Sequence, residues 1–446
     1  MTSDFASLIE MEDECSPTLI EDVSVFDGKQ NDLIEHQDVL IQDGKIADIG
    51  PSGTIPVSSM KKIEAHGMVL MPGLIDSHVH LSGNGAIPWR KIKPRINYNL
   101  EAYLYSGITT IYDLGGIAGK LKKISNQLES GKLCGPSLYH THIPVTIKDS
   151  HPIPLSKIML PKALGFLANL VFPTIKKESD ARKIVRSFKR KGVNYMKLAC
   201  DKIPPNSPEM PTKLLKALVQ ESHNQNLKVF VHIGSVDNAI SAIEAGADIL
   251  AHGIWRDPLN SEQAKLVAQS GVKIIYTLAG FVNVDKINKG NFKPSEKDRL
   301  LVPCCVLEPV TEDNGKDVHK QEVMNDFFQN VSDHRTHWER NFELLNNLNV
   351  PILVGTDSNL PGTYAGSTYY QELYELERFG METYKILQGA TYRNATLFID
   401  DPDFGHISKG AKADLLILKD DPIKNLRTIE EPAYIFKNGK QVRRIR

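Results

Sequence analysis

A chain of 446 residues can bury a large core and exceeds the usual single domain, so one large domain with a smaller companion is expected. Lys and Arg number 53 against 54 Asp and Glu, a formal net charge of −1 with no basic stripe, which argues against nucleic acid as a partner. Five scattered cysteines do not make a disulfide framework, no apolar run reaches the roughly 18 residues needed to span a bilayer, and the acidic N-terminus lacks a signal pattern. The expectation is a cytoplasmic protein with a small-molecule substrate and no membrane partner, self-association being left open.

Residues 17–70 carry short alternating strands punctuated by Asp27-Gly28 and Asp43-Gly44, the pattern of hairpins. The stretch 402–446 repeats that style around Asn438-Gly439. Neither end could form a stable sheet alone, so the two are expected to assemble into one small β-sandwich.

The central region, 71–401, opens with Met71-Pro72-Gly73-Leu74-Ile75-Asp76-Ser77-His78-Val79-His80. Its apolar start predicts a short buried strand, on which alternate residues share a face, so Asp76, His78 and His80 project together. Two neighbouring imidazoles suit a borderline-soft divalent cation such as zinc. Strands then alternate with helical segments: Ile108–Asp113, Pro136–His140, Asn194–Ala199, Leu227–His232, Ala247–Gly253, Val272–Tyr276 and Val350–Asp357. A series of this kind implies a parallel sheet, and eight units predict a (β/α)8 TIM barrel with its site at the strand C-termini. Lys197, His232, His252 and Asp357 occupy such ends or lie just inside them. Lys197 is an awkward ammonium to place in a strand unless it is used. Between the seventh and eighth strands, 279–337 has no obvious periodicity, which predicts a lid or a mobile loop that shapes the substrate pocket.

Taken together, Pro72–His80, Lys197, His232, His252 and Gly355-Thr356-Asp357 resemble the amidohydrolase superfamily, of the imidazolonepropionase-related or Xaa-Pro dipeptidase-like type. Leu387–Ala395 resembles the family's last barrel helix, and Gly405–Leu418 its return into the small domain. The resemblance implies a hydrolase of a C–N amide-type bond, in a dipeptide, an N-acyl amino acid or a cyclic amide. It implies two divalent metal ions, with His78, His80 and Asp357 holding one and His232 and His252 the other. In the resembling enzymes the fourth-strand lysine is carboxylated, and that role is carried onto Lys197 as a CO2-derived carbamate that bridges the ions.

A hydroxide held by the metals would be the nucleophile, because binding to a cation lowers the pKa of water from about 15.7 towards 7. Asp357 is the expected catalytic acid and base. Asp76 lies deeper on the ligand face and is expected to support the ligands rather than to ligate. His151, in Asp149-Ser150-His151-Pro152, and Tyr276, ending the seventh strand, are candidate substrate contacts. Cys200 and Cys304-Cys305 are given no role. Three departures from the family pattern blur the substrate: Leu198–Pro205 lacks the glycine-rich turn common after the lysine, Tyr369 and Tyr370 stand where a histidine is common, and the 279–337 insertion is long. The alternatives are a mononuclear deaminase, for which Lys197 would have no use, and a non-catalytic relative.

Overall fold

Turn chemistry at the two chain ends builds one sheet. The computed structural model describes residues 6–12, 16–56, 60–86, 92–159, 165, 167–311 and 318–446, the side chains of 158–159, 308–311 and 318–323 excepted. Six strands precede the central region: β1 (Ile9–Met11), β2 (Thr18–Val25), β3 (Ile34–Gln42), β4 (Lys45–Pro51), β5 (Lys61–Glu64) and β6 (Val69–Pro72). Asp43 and Gly44 adopt φ of 53° and 76°, the left-handed pair that a two-residue hairpin turn between β3 and β4 requires.

Next come β7 (Leu74–Val79), β8 (Ile108–Asp113), β9 (Ser137–His140), β10 (Met196–Ala199), β11 (Val229–His232), β12 (Ile249–Ala251), β13 (Lys273–Ile275) and β14 (Ile352–Leu353). The chain closes with β15 (Leu415–Leu418), β16 (Tyr434–Lys437) and β17 (Lys440–Arg444). The terminal strands run β1-β17-β16-β15-β6-β2-β3-β4, with β5 on β2. In hydrogen-bonding terms the expected sandwich is therefore a single nine-stranded sheet, joined across the termini by the antiparallel pairing of β6 with β15. Val23, Val39, Ile41, Ile63, Leu415, Ile417 and Phe436 fill its core.

The eight central strands pair in parallel as β7-β8-β9 and β10-β11-β12-β13-β14. Most of their residues are buried, as parallel strands covered on both faces must be. Backbone contacts join the two sets at both ends. Val145, beyond β9, bridges Leu198 on β10, and Val79 on β7 bridges Ser358, beyond β14. Helices stand between the strands, including 118–129, 181–190, 212–224, 236–244 and 261–270.

The stretch expected to be an irregular lid is instead largely helical. Helices cover 278–288, 296–301, 304–311, 318–333 and 335–347, with 312–317 outside the described residues. Gly290, Pro294 and Pro303 divide the first part into pieces too short to show a 3.6-residue period. These helices are packed: Phe281 stacks on Trp338 at 5.8 Å between ring centroids, and Trp255, just beyond β12, meets Phe281 at 6.2 Å and Phe327 at 6.5 Å. Asp285, 2 % exposed, pairs with Lys289 at 2.8 Å and Arg335 at 2.8 Å, fastening the first helix to the last.

One buried ion pair anchors the terminal sheet to the parallel strands. Lys437 donates to Asp414 at 2.6 Å and to Ser137 on β9 at 2.8 Å, while Asp414 also accepts from the Asn438 backbone at 2.7 Å. Both side chains are about 95 % buried, at 5 % and 3 % exposure. Removing one partner of such a pair leaves an uncompensated charge at a cost of about 3–5 kcal/mol. Lys437→Ala should therefore lower the midpoint of urea denaturation by that equivalent, whereas an alanine at the exposed Lys409–Asp48 pair should leave it unchanged within about 0.5 kcal/mol.

Candidate functional site

The ends of β7, β11, β12 and β14 bring four histidines and an aspartate into one pocket. His78 is wholly buried at the end of β7, and the loop after it carries His80. Asp357 follows β14, and its Oδ1 lies 3.1 Å from His78 Nε2 and 3.0 Å from His80 Nε2. His252, beyond β12, places Nδ1 3.9 Å from Asp357 Oδ2. Its ring is 4.8 Å from that of His78 and 4.5 Å from that of His232. His151 stacks on His232 at 4.4 Å.

The backbone is bent to make this arrangement. His252 and Asp357 have φ of 77° and 56°, a left-handed conformation that costs a non-glycine residue roughly 1–2 kcal/mol. Asp76 holds the turn that presents Asp357. It accepts from the Thr356 hydroxyl at 2.7 Å, the Thr356 amide at 3.0 Å and the His78 amide at 3.2 Å, and so ties β7 to the end of β14. Burial pushes Asp76 up to about 7, with the three donors pulling against it. The supporting role expected from its depth in the strand is the one its contacts describe.

Electrostatically the pocket is a collection of lone pairs. Burial drives His78, His252 and His151 well below the usual imidazole value, and the neighbouring Lys197 and histidines add to the effect. His232 is lowered more mildly, because Asp201 opposes burial. His80 alone is raised, since Asp357 and Asp113 outweigh its burial. Lys197, 3 % exposed on β10, is brought down to about 7 by burial, against the pull of Asp357. Its amine has no hydrogen-bond partner, nor do either nitrogen of His78 or Oδ1 of Asp357.

Buried polar atoms in this condition cost on the order of 1–3 kcal/mol each unless something satisfies them. Two imidazole nitrogens converging on one carboxylate oxygen, with burial holding His78 neutral, are what a divalent cation would satisfy. His78, His80 and Asp357 each offer a ligand atom within 4.8 Å of the others. The donor set of nitrogen and carboxylate oxygen fits zinc or a similar ion. His232 and His252 lie beside this trio, each with one ring nitrogen engaged by a neighbour, Nε2 of His232 and Nδ1 of His252.

Sequence reasoning missed the residues that set those two rings. His232 Nε2 is 3.3 Å from Asp201 Oδ2, and Asp201 is held from its other oxygen by Arg256 at 2.7 Å. Asp201 can enter this position because residue 234 is glycine; a Cβ there would lie 2.4 Å from the carboxylate oxygen. His252 Nδ1 is 3.0 Å from the Thr277 hydroxyl. Only the motif neighbourhood of Lys197 could have pointed to Asp201; Arg256 and Thr277 carried no signal. Tyr276, expected to reach substrate, is fully buried and donates its hydroxyl to the Trp338 carbonyl at 3.0 Å. Strand alternation turns it away from the ligand face, so its contacts are those of packing. His151 by contrast is in the pocket, with a buried, unpartnered Nδ1.

A parallel α/β scaffold with imidazoles, a carboxylate and a desolvated amine gathered at its strand ends is the framework of a hydrolytic enzyme. Residues 69–442 match the amidohydrolase family, and the chain belongs to it. It is accordingly an enzyme acting on carbon–nitrogen bonds. Among relatives, it is 23 % identical over 435 residues to an ochratoxinase of Aspergillus niger, with 90 % of this chain and 82 % of that protein covered. A dihydroorotase of Mycobacterium tuberculosis is 30 % identical over 119 residues, covering 27 % of this chain and 25 % of the relative. The crystal structure of a Xaa-Pro dipeptidase with methionine bound in its active site superposes with a TM-score of 0.75 at 19 % identity, covering 96 % of this chain and 99 % of that one. At that identity the likeness speaks to the fold. Among the described residues no helix is long and apolar enough to cross a membrane.

The Asp201 pairing has a consequence for acid stability. Burial raises this carboxyl, but His232 and Arg256 outweigh it and hold it at about 2, below the ordinary 3.8. A depressed folded-state pKa contributes stability that is complete above the unfolded value and disappears as pH falls through the folded one. Stabilisation from Asp201 should therefore be full above about pH 4 and lost between about pH 4 and 2. In Asp201→Asn, denaturation midpoints followed across that window should fall less steeply than in the parent; equal slopes would show that the pairing carries no linked stability.

Proposed function

We propose that the protein is a metal-dependent hydrolase of an amide-type carbon–nitrogen bond, with its eight parallel strands closed as a (β/α)8 barrel (71–401) and a small domain contributed by 17–70 and 402–446. The observation that carries this reading is the convergence of His78 and His80 on Asp357 beside a buried Lys197 amine, with both nitrogens of His78, Oδ1 of Asp357 and the amine itself lacking hydrogen-bond partners. His78, His80 and Asp357 would hold one divalent ion and His232 and His252 a second, zinc being the ion that the donors suit. Such ions supply Lewis acidity, polarising a carbonyl oxygen and lowering the pKa of water.

The chain's own residues do the rest. Asp357 has its second oxygen directed towards His252 and away from His78 and His80. We read that oxygen as the group that takes a proton from the attacking water and returns it to the departing nitrogen. His151, stacked against His232 with an unpartnered nitrogen, is read as a substrate contact. The packed helices over 278–347 would exclude bulk water, which strengthens each of these interactions.

Lys197 fits the bridging role through its chemistry. An amine brought down to about 7 is largely unprotonated at slightly alkaline pH. Its lone pair can attack the carbon of CO2; a C–N bond forms, one proton leaves, and the product is a carbamate whose two oxygens share a negative charge. A mononuclear deaminase would leave this buried amine without use. The names of the relatives, an ochratoxinase, a dihydroorotase and a Xaa-Pro dipeptidase, suggest as substrates a dipeptide, an N-acyl amino acid or a cyclic amide. The substrate is taken to be a small molecule met in the cytoplasm.

The reading is tested by metal analysis with a screen of those three substrate classes. Strong chelation should abolish hydrolysis, and Zn2+, Mn2+ or Co2+ should restore it, with two equivalents bound per chain. Hydrolysis at the full rate by protein shown to be metal-free would refute it.

Lys197→Ala isolates the bridge. Metal content should fall and activity collapse, and acetate or propionate, able to fill the vacated space with two oxygen donors, should return part of both. Unchanged stoichiometry without any response to these acids would make the lysine structural and favour the deaminase.

A further inference from the structure

Glu372 is fully buried within the helix Ser367–Arg378, which packs behind the site, and it belongs to no motif. Its two carboxylate oxygens accept the backbone N–H groups of Leu278 at 3.1 Å and Ala279 at 2.7 Å. These are the first two residues of the helix Leu278–Asn288, whose opening N–H groups have no partner within the helix. The residue before them, Thr277, has φ of 58° and makes no side-chain cap to its own helix. Its hydroxyl instead meets Nδ1 of His252 at 3.0 Å. The ordinary arrangement, in which a threonine at that position caps the helix with its own oxygen, has been given up. A carboxylate from a distant helix does the capping and frees the threonine hydroxyl for the histidine.

We propose that Glu372 is a positioning residue for His252: by capping the helix Leu278–Asn288 it holds the Thr277 hydroxyl against Nδ1 as the acceptor of an Nδ1–H, so that the lone pair of the imidazole lies on Nε2. The left-handed backbone at Thr277 is strained and persists only where its surroundings over-determine it. The two hydrogen bonds from Glu372 are the constraint immediately next to it. Removing them would leave two buried N–H groups unpaired and release the turn. Partners of this kind commonly change metal affinity by 10–100-fold in sites of imidazole ligands. The inference rests on the reading of His252 as a metal ligand, but the tautomer itself does not.

The test uses full-length protein with 15N-labelled histidine. Ring 1H–15N correlations on the metal-free form, assigned through His252→Gln, should show His252 as the Nδ1–H tautomer in the parent and in Thr277→Ser, which keeps the hydroxyl. In Thr277→Val and in Glu372→Gln, where one N–H is left facing an amide NH2, the population should move towards Nε2–H. Titration with Zn2+ should show the weaker equivalent lowered about 10–100-fold in the same two variants, with rescue in Thr277→Ser. A folded Glu372→Gln with the parent's His252 tautomer and parent Zn2+ affinity would overturn the proposal. Should Glu372→Gln fail to fold, Thr277→Val decides alone: an unchanged tautomer there overturns it equally. A shifted tautomer in a protein whose forms bind no Zn2+ would uphold the positioning and refute the metal reading instead.

Discussion

Desolvation is the interaction on which the rest of the site depends. Water-exposed histidines and lysines at neutral pH are partly or wholly cationic, and six such groups could not share one pocket with a single aspartate. Buried at the strand ends, His78, His151 and His252 lose their charge, and Lys197 is brought to the edge of losing its own. Each lost proton exposes a lone pair. A pocket that would otherwise be mutually repulsive becomes a set of convergent donors.

Burial also explains why the surrounding contacts are so polar and so deeply placed. Asp76, Asp201 and Glu372 are all fully buried, and none has a side-chain nitrogen or oxygen facing bulk solvent. Each spends its oxygens on orienting something else: Asp76 on the turn before Asp357, Asp201 on His232, and Glu372 on the helix behind Thr277. Arg256 closes the series by neutralising Asp201, while its planar group lies 4.7 Å over Trp255. A rigid parallel scaffold makes such precision affordable, because the strands that carry the ligands cannot slide without breaking the ladders that join them.

The parts of this legible from sequence were those governed by local rules. Strand-end positions of His78, His232, His252 and Asp357 followed from short apolar runs, and the hairpins of the terminal sheet followed from Asp43-Gly44 and Asn438-Gly439, both left-handed in the structure. Lys197 stood out as a charge within an apolar run. What stayed hidden depended on pairs far apart in the chain, such as Glu372 with Leu278 and Ala279, or Arg256 with Asp201. No periodicity encodes which buried carboxylate meets which amide. The helices of 278–347 were hidden for another reason, since prolines and a glycine cut their first turns into lengths at which helix and loop look alike. Tyr276 shows the converse limit: its place at a strand end was readable, but the face it occupies turns on one residue of alternation.

The packed helices after β13 bear on the donor set through their rigidity. A loop in this position could close on substrates of different shapes, whereas Phe281, Trp338, Trp255 and Phe327 interlock as rings, and Asp285 bridges the first helix to the last through Arg335. Rotation of either Leu278–Asn288 or Arg335–Asn347 would disturb both contacts at once. The first helix of this roof begins at Thr277, in contact with His252, so the roof and the donor set share a residue boundary. Displacing that helix to admit a bulky substrate would therefore also loosen the hydroxyl that holds His252. On this geometry, pocket shape and donor alignment are not independent variables, and substitutions in the roof that widen the pocket should be constrained to positions beyond the first turn of Leu278–Asn288.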